Sequence, residues 1–355
     1  MHKCSFTLLL LFSFSFLPAQ PIYLHCGRLI DGAGEGIQKE MTLIVEGNRI
    51  TEVEKGYLAP PEGATSIDLK DKTVLPGLMD MHVHLQGELG PKNDSDTLKM
   101  SPQLMQMRSQ YFAMQTLRAG FTTVRDAGSS GEEMYALRDA INAGWVDGPR
   151  IIAAGGVGIT GGHADISGVK PELMKHWTRD SVCDGPYDCR RATRNVIKYG
   201  ADLVKITSTG GVLTDRATGT GQQMEMDELR EVVLAAERMG RKVASHAHEE
   251  DGIIAALEAG VASIEHGTYT GPDAIKLFKE TGAYLVPTLL AGKTVAAMAV
   301  ESDFMSDAIK ENAIRFGEDK SDNFAKAHAA GVKFAYGTDS GVSRNGTNAE
   351  EALLM

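Results

Sequence analysis

The stretch "VLPGLMDMHVHLQGE", from Val74 to Glu88, places two histidines one residue apart at the end of an apolar run. Alternate side chains of a β-strand point to the same face, so the alternation predicts that His82 and His84 share one face. Two imidazoles placed in this way could bind one divalent cation. A single His-x-His pair is weak evidence for a metal site, so the interpretation depends on the rest of the chain.

After Val74 the sequence alternates β-rich runs with helical segments, several of which end in Ala-Gly or Met-Gly, where glycine caps the helix. Eight alternating units favour the α/β class and a (β/α)8 TIM barrel over residues 74–355. A doubly wound open sheet is the alternative, although no Gly-x-Gly-x-x-Gly follows the first strand. The eight predicted strands are "TVLPGLMDMHVHL", "FTTVRDAG", "RIIAAGG", "DLVKITST", "KVASHAH", "SIEHGT", "YLVPTL" and "KFAYGTDS".

The segment before the barrel divides into two parts. Residues 1–19 contain an apolar run from Phe6 to Leu17, which is too short to span a bilayer and is typical of a signal peptide cleaved near Ala19. An uncleaved anchor is the alternative. Residues 20–73 predict a small β module of the β-sandwich type, with a hairpin around "EGNR". We therefore expect a secreted or periplasmic protein with no membrane segment after cleavage.

The C-terminal end has a different character. Only residues 341–355 follow the eighth predicted strand, and "NAEEALLM" reads as the beginning of a last helix. We therefore expect the C-terminus to be incomplete.

Composition and cysteine content bound the function classes. The formal net charge is −11 with acidic residues spread along the chain, which argues against a broad basic surface for nucleic acid.

Cys183 and Cys189 flank a Gly-Pro turn, and in an oxidising compartment this spacing indicates a small disulfide loop. A metal site at these cysteines is the competing interpretation, but no Cys-x-x-Cys supports it.

The ends of the other predicted strands also carry polar residues, and active sites of (β/α)8 barrels lie at the C-terminal strand ends. Imidazoles and a carboxylate suit zinc first among the divalent metals. A lysine interrupts the apolar strand "ADLVKITSTGG", where an internal salt bridge is one explanation. These residues are Lys205 on strand four, His246 and His248 on strand five, Glu265 and His266 on strand six, and Asp339 on strand eight.

Five motifs occur in a fixed order: "PGLMDMHVHL", "VKITSTGG", "SHAH", "SIEHGT" and "GTDSG". Together they resemble the amidohydrolase superfamily. The features "TGGHAD", "ITSTGGV" and "AGVASIEHGT" resemble its imidazolonepropionase-like and Xaa-Pro dipeptidase-like branch. The resemblance runs from about Ile22 to Met355.

The resemblance implies a binuclear centre with two divalent ions, zinc first, in which Lys205 is carboxylated and bridges both ions. A water held between the metals would attack an amide carbonyl, and Asp339 would act as general base and pass the proton to the leaving nitrogen. The implied ligands are His82, His84 and Asp339 for the first metal and His246 and His266 for the second, with Lys205 shared.

Two further histidines receive roles through the same resemblance. His163, in "TGGHAD", would stabilise the oxyanion at the scissile carbonyl, and His248 would contact the substrate carboxylate. A hydrogen-bonded loop histidine is the alternative for each. Arg125 is expected to tie barrel loops to Asp126. The family's "GVxPHGxN" loop reads "GVSRNGTN" here, with Arg344 and Asn345 in place of Pro and His, which affects the substrate preference.

The sequence therefore predicts a hydrolase of small molecules that cleaves an amide C–N bond, with dipeptides of the Xaa-Pro type or N-acyl amino acids as first candidates. A cyclic-amide hydrolase of the imidazolonepropionase type is the alternative, but strict members of that type use one metal and need no strand-four lysine. A third interpretation is an inactive binding scaffold, which the apparent truncation keeps open. A homo-oligomer also stays open.

Overall fold

The structure is a computed structural model that describes residues 20–34, 36–129, 131–165, 170, 172, 180–213 and 219–355. The predicted signal peptide, residues 1–19, lies outside the described residues. The chain divides into two compact units, the first ending at Pro76 and the second running from Gly77 to Met355. Within the described residues, every helix is too short or too polar to cross a membrane.

The first unit is a four-stranded sheet with strand order β3-β2-β1-β4. β1 pairs antiparallel with β2 and parallel with β4. The predicted hairpin at "EGNR" is confirmed, since β2 and β3 pair antiparallel around Gly47, whose φ of 60° favours glycine. Cys26 and Leu43 are among the residues of its buried core. The strands are β1 (Ile22–Leu29), β2 (Gln38–Glu46), β3 (Arg49–Lys55) and β4 (Thr65–Val74).

The second unit is a parallel barrel surrounded by helices, as the (β/α)8 prediction requires. Seven strands follow one another in the order β5-β6-β7-β9-β10-β11-β12, and β8 pairs with the end of β7. The strands are β5 (Leu78–Val83), β6 (Phe121–Asp126), β7 (Arg150–Ile159), β8 (Val182–Cys183), β9 (Leu203–Thr207), β10 (Val243–Ala247), β11 (Ser263–His266) and β12 (Tyr284–Val286). The helices are α1 (Asn93–Lys99), α2 (Pro102–Arg118), α3 (Gly131–Asn142), α4 (Gly185–Lys198), α5 (Met226–Arg238), α6 (Glu250–Ala259), α7 (Pro272–Thr281), α8 (Leu289–Glu301) and α9 (Asp307–Ala329), followed by a 3₁₀ turn (Asn348–Leu353).

The predicted eighth strand closes the barrel but is not a regular strand. Residues 333–340 bond to β12 through the Leu285 backbone, to β5 through the backbones of Met81 and His82, and to the loop after β5 through the His84 N–H. The ladder is interrupted because the Asp80 carboxylate, instead of a backbone carbonyl, accepts the Thr338 N–H. The prediction that this segment is a continuous strand is therefore wrong. The prediction that it occupies the eighth strand position of the barrel is confirmed.

The predicted disulfide is confirmed between Cys183 in β8 and Cys189 in α4. The bond closes a short loop with a sequence separation of 6 residues. Both cysteines are buried and pack in the main hydrophobic core. The bond therefore fixes the start of α4 to the strand pair β7–β8.

We predict that the Cys183→Ala/Cys189→Ala double variant unfolds with a free energy about 2 kcal/mol lower than that of the wild type, because a closed loop of this length restricts the unfolded chain by that amount. Urea unfolding followed by circular dichroism measures the difference. Cys26→Ala provides a control for the loss of a buried thiol in the other unit. Equal stability of the double variant and the wild type contradicts a stabilising role for the bond.

Candidate metal centre

A cavity of about 430 Å³ opens at the C-terminal ends of the barrel strands. This is the end at which barrels of this architecture hold their catalytic groups. The structure brings to this cavity every residue to which the sequence assigned a metal-binding, catalytic or substrate-binding role. Its lining includes His82, His84, His163, Lys205, His246, His248, His266 and Asp339.

The histidine rings form a continuous cluster. The ring centroids of His82 and His266 lie 5.0 Å apart, and those of His246 and His266 lie 4.6 Å apart. Two groups of potential ligand atoms share His266: one with His82 and Asp339, the other with His246 and His248. The sequence analysis assigned His248 to substrate binding. The structure also places one of its ring nitrogens close enough to those of His246 and His266 to share a metal ion with them.

Hydrogen bonds select the ring nitrogens that are left for a metal. His82 Nδ1 bonds to Glu265 at 2.7 Å, and His266 Nδ1 bonds to Thr288 Oγ1 at 2.8 Å. The Nε2 atom of each ring is therefore the available ligand. In His246 the other nitrogen is engaged: Nε2 lies 3.3 Å from the Gly210 carbonyl oxygen. Nδ1 is therefore the nitrogen of His246 that is available to a metal.

Two buried atoms fit a cation directly. His82 Nε2 and Asp339 Oδ1 lie 3.6 Å apart, and within the described residues neither atom makes a hydrogen bond of normal geometry. Buried polar atoms without partners are rare in folded proteins, so this pair requires an explanation. An imidazole nitrogen and a carboxylate oxygen are both ligands of zinc and related divalent metals. His84 Nε2 is also near, 3.2 Å from Asp339 Oδ1.

Backbone strain concentrates at the same place. Four non-glycine residues have positive φ within the described residues. Two of them, His266 and Asp339, line the cavity, and a third, Thr288, bonds to His266. The φ values of His266, Thr288 and Asp339 are 73°, 49° and 57°. Such conformations cost roughly 1–3 kcal/mol each and are typical of functional sites. The surrounding barrel therefore holds these side chains in positions that the local sequence alone disfavours.

Glu265 is a buried carboxylate that supports the first ligand. Its Oε2 accepts from His82 Nδ1, and both of its oxygens lie 2.7 Å from Arg125 Nη2. Arg125 also donates to the Met81 carbonyl and to Ser263 Oγ. The expectation that Arg125 pairs with Asp126 is therefore wrong, because the side chain crosses the barrel towards Glu265. Asp126 instead accepts hydrogen bonds from the loop after β5 and from its own loop.

The electrostatics of the site favour metal-binding protonation states. Burial and the nearby Lys205 lower the pKa of His82 to about 4, and burial is also the main cause that lowers the pKa of His246 and His266. Neutral imidazole is the form that binds metals. Burial opposes ionisation of Glu265, but Arg125 and His82 outweigh it and lower its pKa to about 2. Glu265 is therefore an anion at neutral pH.

Lys205 lies fully within this environment. It is buried in the middle of β9, and its Nζ lies 3.3 Å from the Ala127 carbonyl oxygen. Within the described residues it makes no ion pair shorter than 4.0 Å, so the salt-bridge explanation does not apply. Burial lowers the pKa of its amine. A lowered pKa increases the fraction of neutral amine, which is the nucleophilic form of a lysine.

His163 reaches the cluster from the loop after β7. Its ring centroid lies 4.4 Å from that of His246, and its backbone N–H donates to Gln223 Oε1. The ring occupies space that only glycine leaves open, since a Cβ at Gly211 would lie 2.1 Å from His163 Cε1. Burial and Lys205 lower the pKa of His163 to about 4, so the ring is neutral near pH 7.

The loop that departs from the family pattern is attached to the loop after β5. Asn345 is buried, its N–H donates to Glu88 Oε1 at 2.8 Å, and its Oδ1 accepts from Ser340 Oγ. Arg344 points to solvent. Asn345 therefore fixes the chain directly after Asp339.

Sequence reasoning missed the residues that orient the ligands. Thr288 and Thr268 bond to His266 and His248 from the loops after β12 and β11. Asp80 accepts from the His82 N–H and from Thr338, next to Asp339. The sequence analysis placed Glu265 on strand six but gave it no role, and the threonines gave no signal.

Comparisons with known proteins show what the chain is similar to. The ochratoxinase of Aspergillus niger is 29% identical over 342 residues, which cover 90% of this chain and 69% of that protein. The crystal structure of a Xaa-Pro dipeptidase with methionine in its active site has a TM-score of 0.88 and 40% identity, covering 94% of this chain and 83% of the other. A prolidase bound to N-methylphosphonate-L-proline has a TM-score of 0.80 and 30% identity, with coverages of 94% and 83%.

The family assignment follows from the sequence profile that matches the barrel. The profile of the amidohydrolase family covers residues 73–354, which include every ligand candidate described above. The barrel, the histidine cluster and these relatives all indicate hydrolysis of carbon–nitrogen bonds with a metal-dependent site. The chain is thus a hydrolase that belongs to the amidohydrolase family.

Proposed function

We propose that the chain is a binuclear amidohydrolase that cleaves dipeptides of the Xaa-Pro type or N-acyl amino acids. The observation that carries the proposal is the pair of ligand groups that meet at His266, with Lys205 buried in the same cavity. The relatives support the substrate class, because one is a Xaa-Pro dipeptidase with bound methionine and another is a prolidase with a proline derivative.

In this proposal two divalent ions, zinc first, would supply a water that is acidic enough to attack an amide at neutral pH. His82, His84 and Asp339 would hold the first ion, and His246 and His266 the second. The neutral amine of Lys205 would add carbon dioxide and release a proton, and the resulting carbamate would supply an anionic oxygen ligand to the ions.

The remaining steps belong to protein side chains. Asp339 lies at the first ligand group, and its carboxylate would take the proton of the attacking water and deliver it to the leaving nitrogen. His163, neutral and beside His246, would donate to the carbonyl oxygen as negative charge develops. His248 would contact the substrate carboxylate through Nε2, because its Nδ1 is already bonded to Thr268.

We also propose that the protein is exported from the cytoplasm. Residues 1–19 have the composition of a signal peptide, and the Cys183–Cys189 disulfide supports an oxidising compartment. Expression with residues 1–19 fused to a cytoplasmic reporter tests this directly. Retention of the reporter in the cytoplasm contradicts the proposal.

Metal content tests the binuclear centre. We expect about two metals per chain in protein purified with zinc and bicarbonate, and fewer in Lys205→Ala, because the bridging ligand is lost. Elemental analysis of the purified proteins measures the ratio. Lys198→Ala, on the exposed end of α4, serves as the matched control and should retain the wild-type content.

The other outcomes separate the alternatives. One metal per chain that is indifferent to Lys205→Ala favours a mononuclear cyclic-amide hydrolase. A folded wild-type protein that binds no metal under these conditions contradicts the enzyme proposals and favours a binding scaffold. Hydrolysis of a dipeptide and N-acyl amino acid panel by the metal-loaded wild type then tests the substrate class.

A further inference from the structure

A second buried lysine lines the same cavity from a different direction. Lys320 lies on α9 with 5% of its surface exposed, and it borders the cavity together with His248 and Phe316. Phe316 and Lys320 are four residues apart, so they project from one face of the helix. Phe316 packs edge-on against His248 with a centroid distance of 4.9 Å. This face therefore forms a cavity wall that ends in a cation.

The charge of Lys320 lacks a paired charge at contact distance. Its Nζ donates to Thr288 O at 2.9 Å and to Thr288 Oγ1 at 2.8 Å, which uses two of the three donors of an ammonium group. Within the described residues no carboxylate lies within 4.0 Å of this nitrogen. A buried ion is costly unless it is paired, so an unpaired cation at a cavity wall indicates an anionic ligand.

The fold provides room for this lysine. A Cβ at Gly292 on α8 would lie 3.0 Å from Lys320 Cδ, so glycine leaves space for the lysine stem between α8 and α9. Burial lowers the pKa of Lys320 to about 8, while the more distant Asp339 and Glu351 favour the charged form. The ammonium form therefore predominates at neutral pH.

We propose that Lys320 binds the carboxylate of the substrate and so selects free acids over amides or esters. The inference deepens the proposed function and rests on it, since dipeptides and N-acyl amino acids both carry this carboxylate. Lys320 adds a positive charge beside His248, which alone would offer a neutral hydrogen-bond donor. The third donor of its ammonium group is the one that the carboxylate would use.

A binding experiment tests the carboxylate preference without turnover. The zinc-loaded protein is titrated by calorimetry with L-methionine and with L-methioninol, which differ only in the carboxylate. We expect the wild type to prefer L-methionine, and we expect Lys320→Met and Lys320→Gln to lose about 100-fold of that preference, as for a buried charge-assisted hydrogen bond. The glutamine retains a donor for Thr288. Lys326→Met, on the exposed side of α9, is the control and should retain the wild-type preference.

Metal content separates binding from positioning. Lys320 contacts Thr288, which in turn bonds to His266, so a purely supporting lysine would lower zinc content when it is replaced. A carboxylate-binding lysine leaves the zinc content unchanged. Retention of the L-methionine preference in both Lys320 variants, or its absence in the wild type, overturns the proposal.

The proposed function fails by a different signature. If the wild type binds L-methionine through Lys320 but hydrolyses neither dipeptides nor N-acyl amino acids, the carboxylate site is supported and the proposed reaction is contradicted. Conversely, if the wild type and the Lys320 variants hydrolyse these substrates with equal efficiency, the proposed reaction is supported and the proposed role of Lys320 is contradicted.

Discussion

Asp339→Asn is expected to lower kcat for amide hydrolysis by about 10³-fold, because it removes the proposed general base while retaining the shape of the side chain. The Asp339 carboxylate is buried at the first ligand group, and Oδ1 lies 3.2 Å from His84 Nε2 and 3.6 Å from His82 Nε2. His82 and His84 lower its pKa despite burial, so it is an anion at neutral pH. An asparagine oxygen could still face the metal but could not accept a proton.

The choice of asparagine matters for folding. Asp339 has a φ of 57°, which asparagine adopts more readily than other non-glycine residues. Its backbone N–H donates to the His82 carbonyl, and this bond is independent of the side chain. We therefore expect the Asn variant to fold, whereas alanine would add about 1 kcal/mol of backbone strain.

Steady-state kinetics on the best substrate of the panel, with zinc content measured on the same sample, checks this prediction. Asp322→Asn, an exposed acid on α9, controls for the loss of one charge and should match the wild type. An unchanged kcat in a fully metal-loaded Asp339→Asn variant removes Asp339 from the reaction.

The barrel could be predicted from the sequence because the alternation of β-rich and helical segments, with glycines at the helix ends, reflects local structure. Seven of the predicted strands form ladders, and the eighth segment deviates where the Asp80 side chain takes the Thr338 N–H. That contact joins residues 258 positions apart, so no local pattern encodes it. Local alternation likewise identified His82 and His84, since both project from the end of one strand.

The supporting contacts of the site could not be predicted in the same way. Glu265 meets His82 across a separation of 183 residues, and Lys320 meets Thr288 across 32. Lys320 also lies in a helix rich in charged residues, where a lysine normally indicates a solvent-exposed face. Their roles become visible only when the barrel brings distant loops to one cavity.

Glu265→Gln is expected to have the second large effect, on both stability and metal affinity. Arg125 would remain buried without its anion, which typically costs about 3–5 kcal/mol of unfolding free energy. Metal affinity should fall about 10- to 100-fold, as for other carboxylates that orient a metal-binding histidine. Denaturant unfolding and competition with a zinc chelator measure the two quantities. Glu280→Gln, an exposed acid paired with Lys276, should change neither.

The metal effect is expected to arise through the tautomer of His82. With Arg125 present, the new amide oxygen turns towards the guanidinium, and the amide NH₂ faces His82 Nδ1. The ring then carries its proton on Nε2, the atom that the metal requires. In the double variant Arg125→Met/Glu265→Gln the amide oxygen is released and can accept from Nδ1–H. We therefore expect this variant to recover stability and part of the metal affinity relative to Glu265→Gln. Unchanged metal affinity in Glu265→Gln itself shows that Glu265 does not orient His82 for a metal.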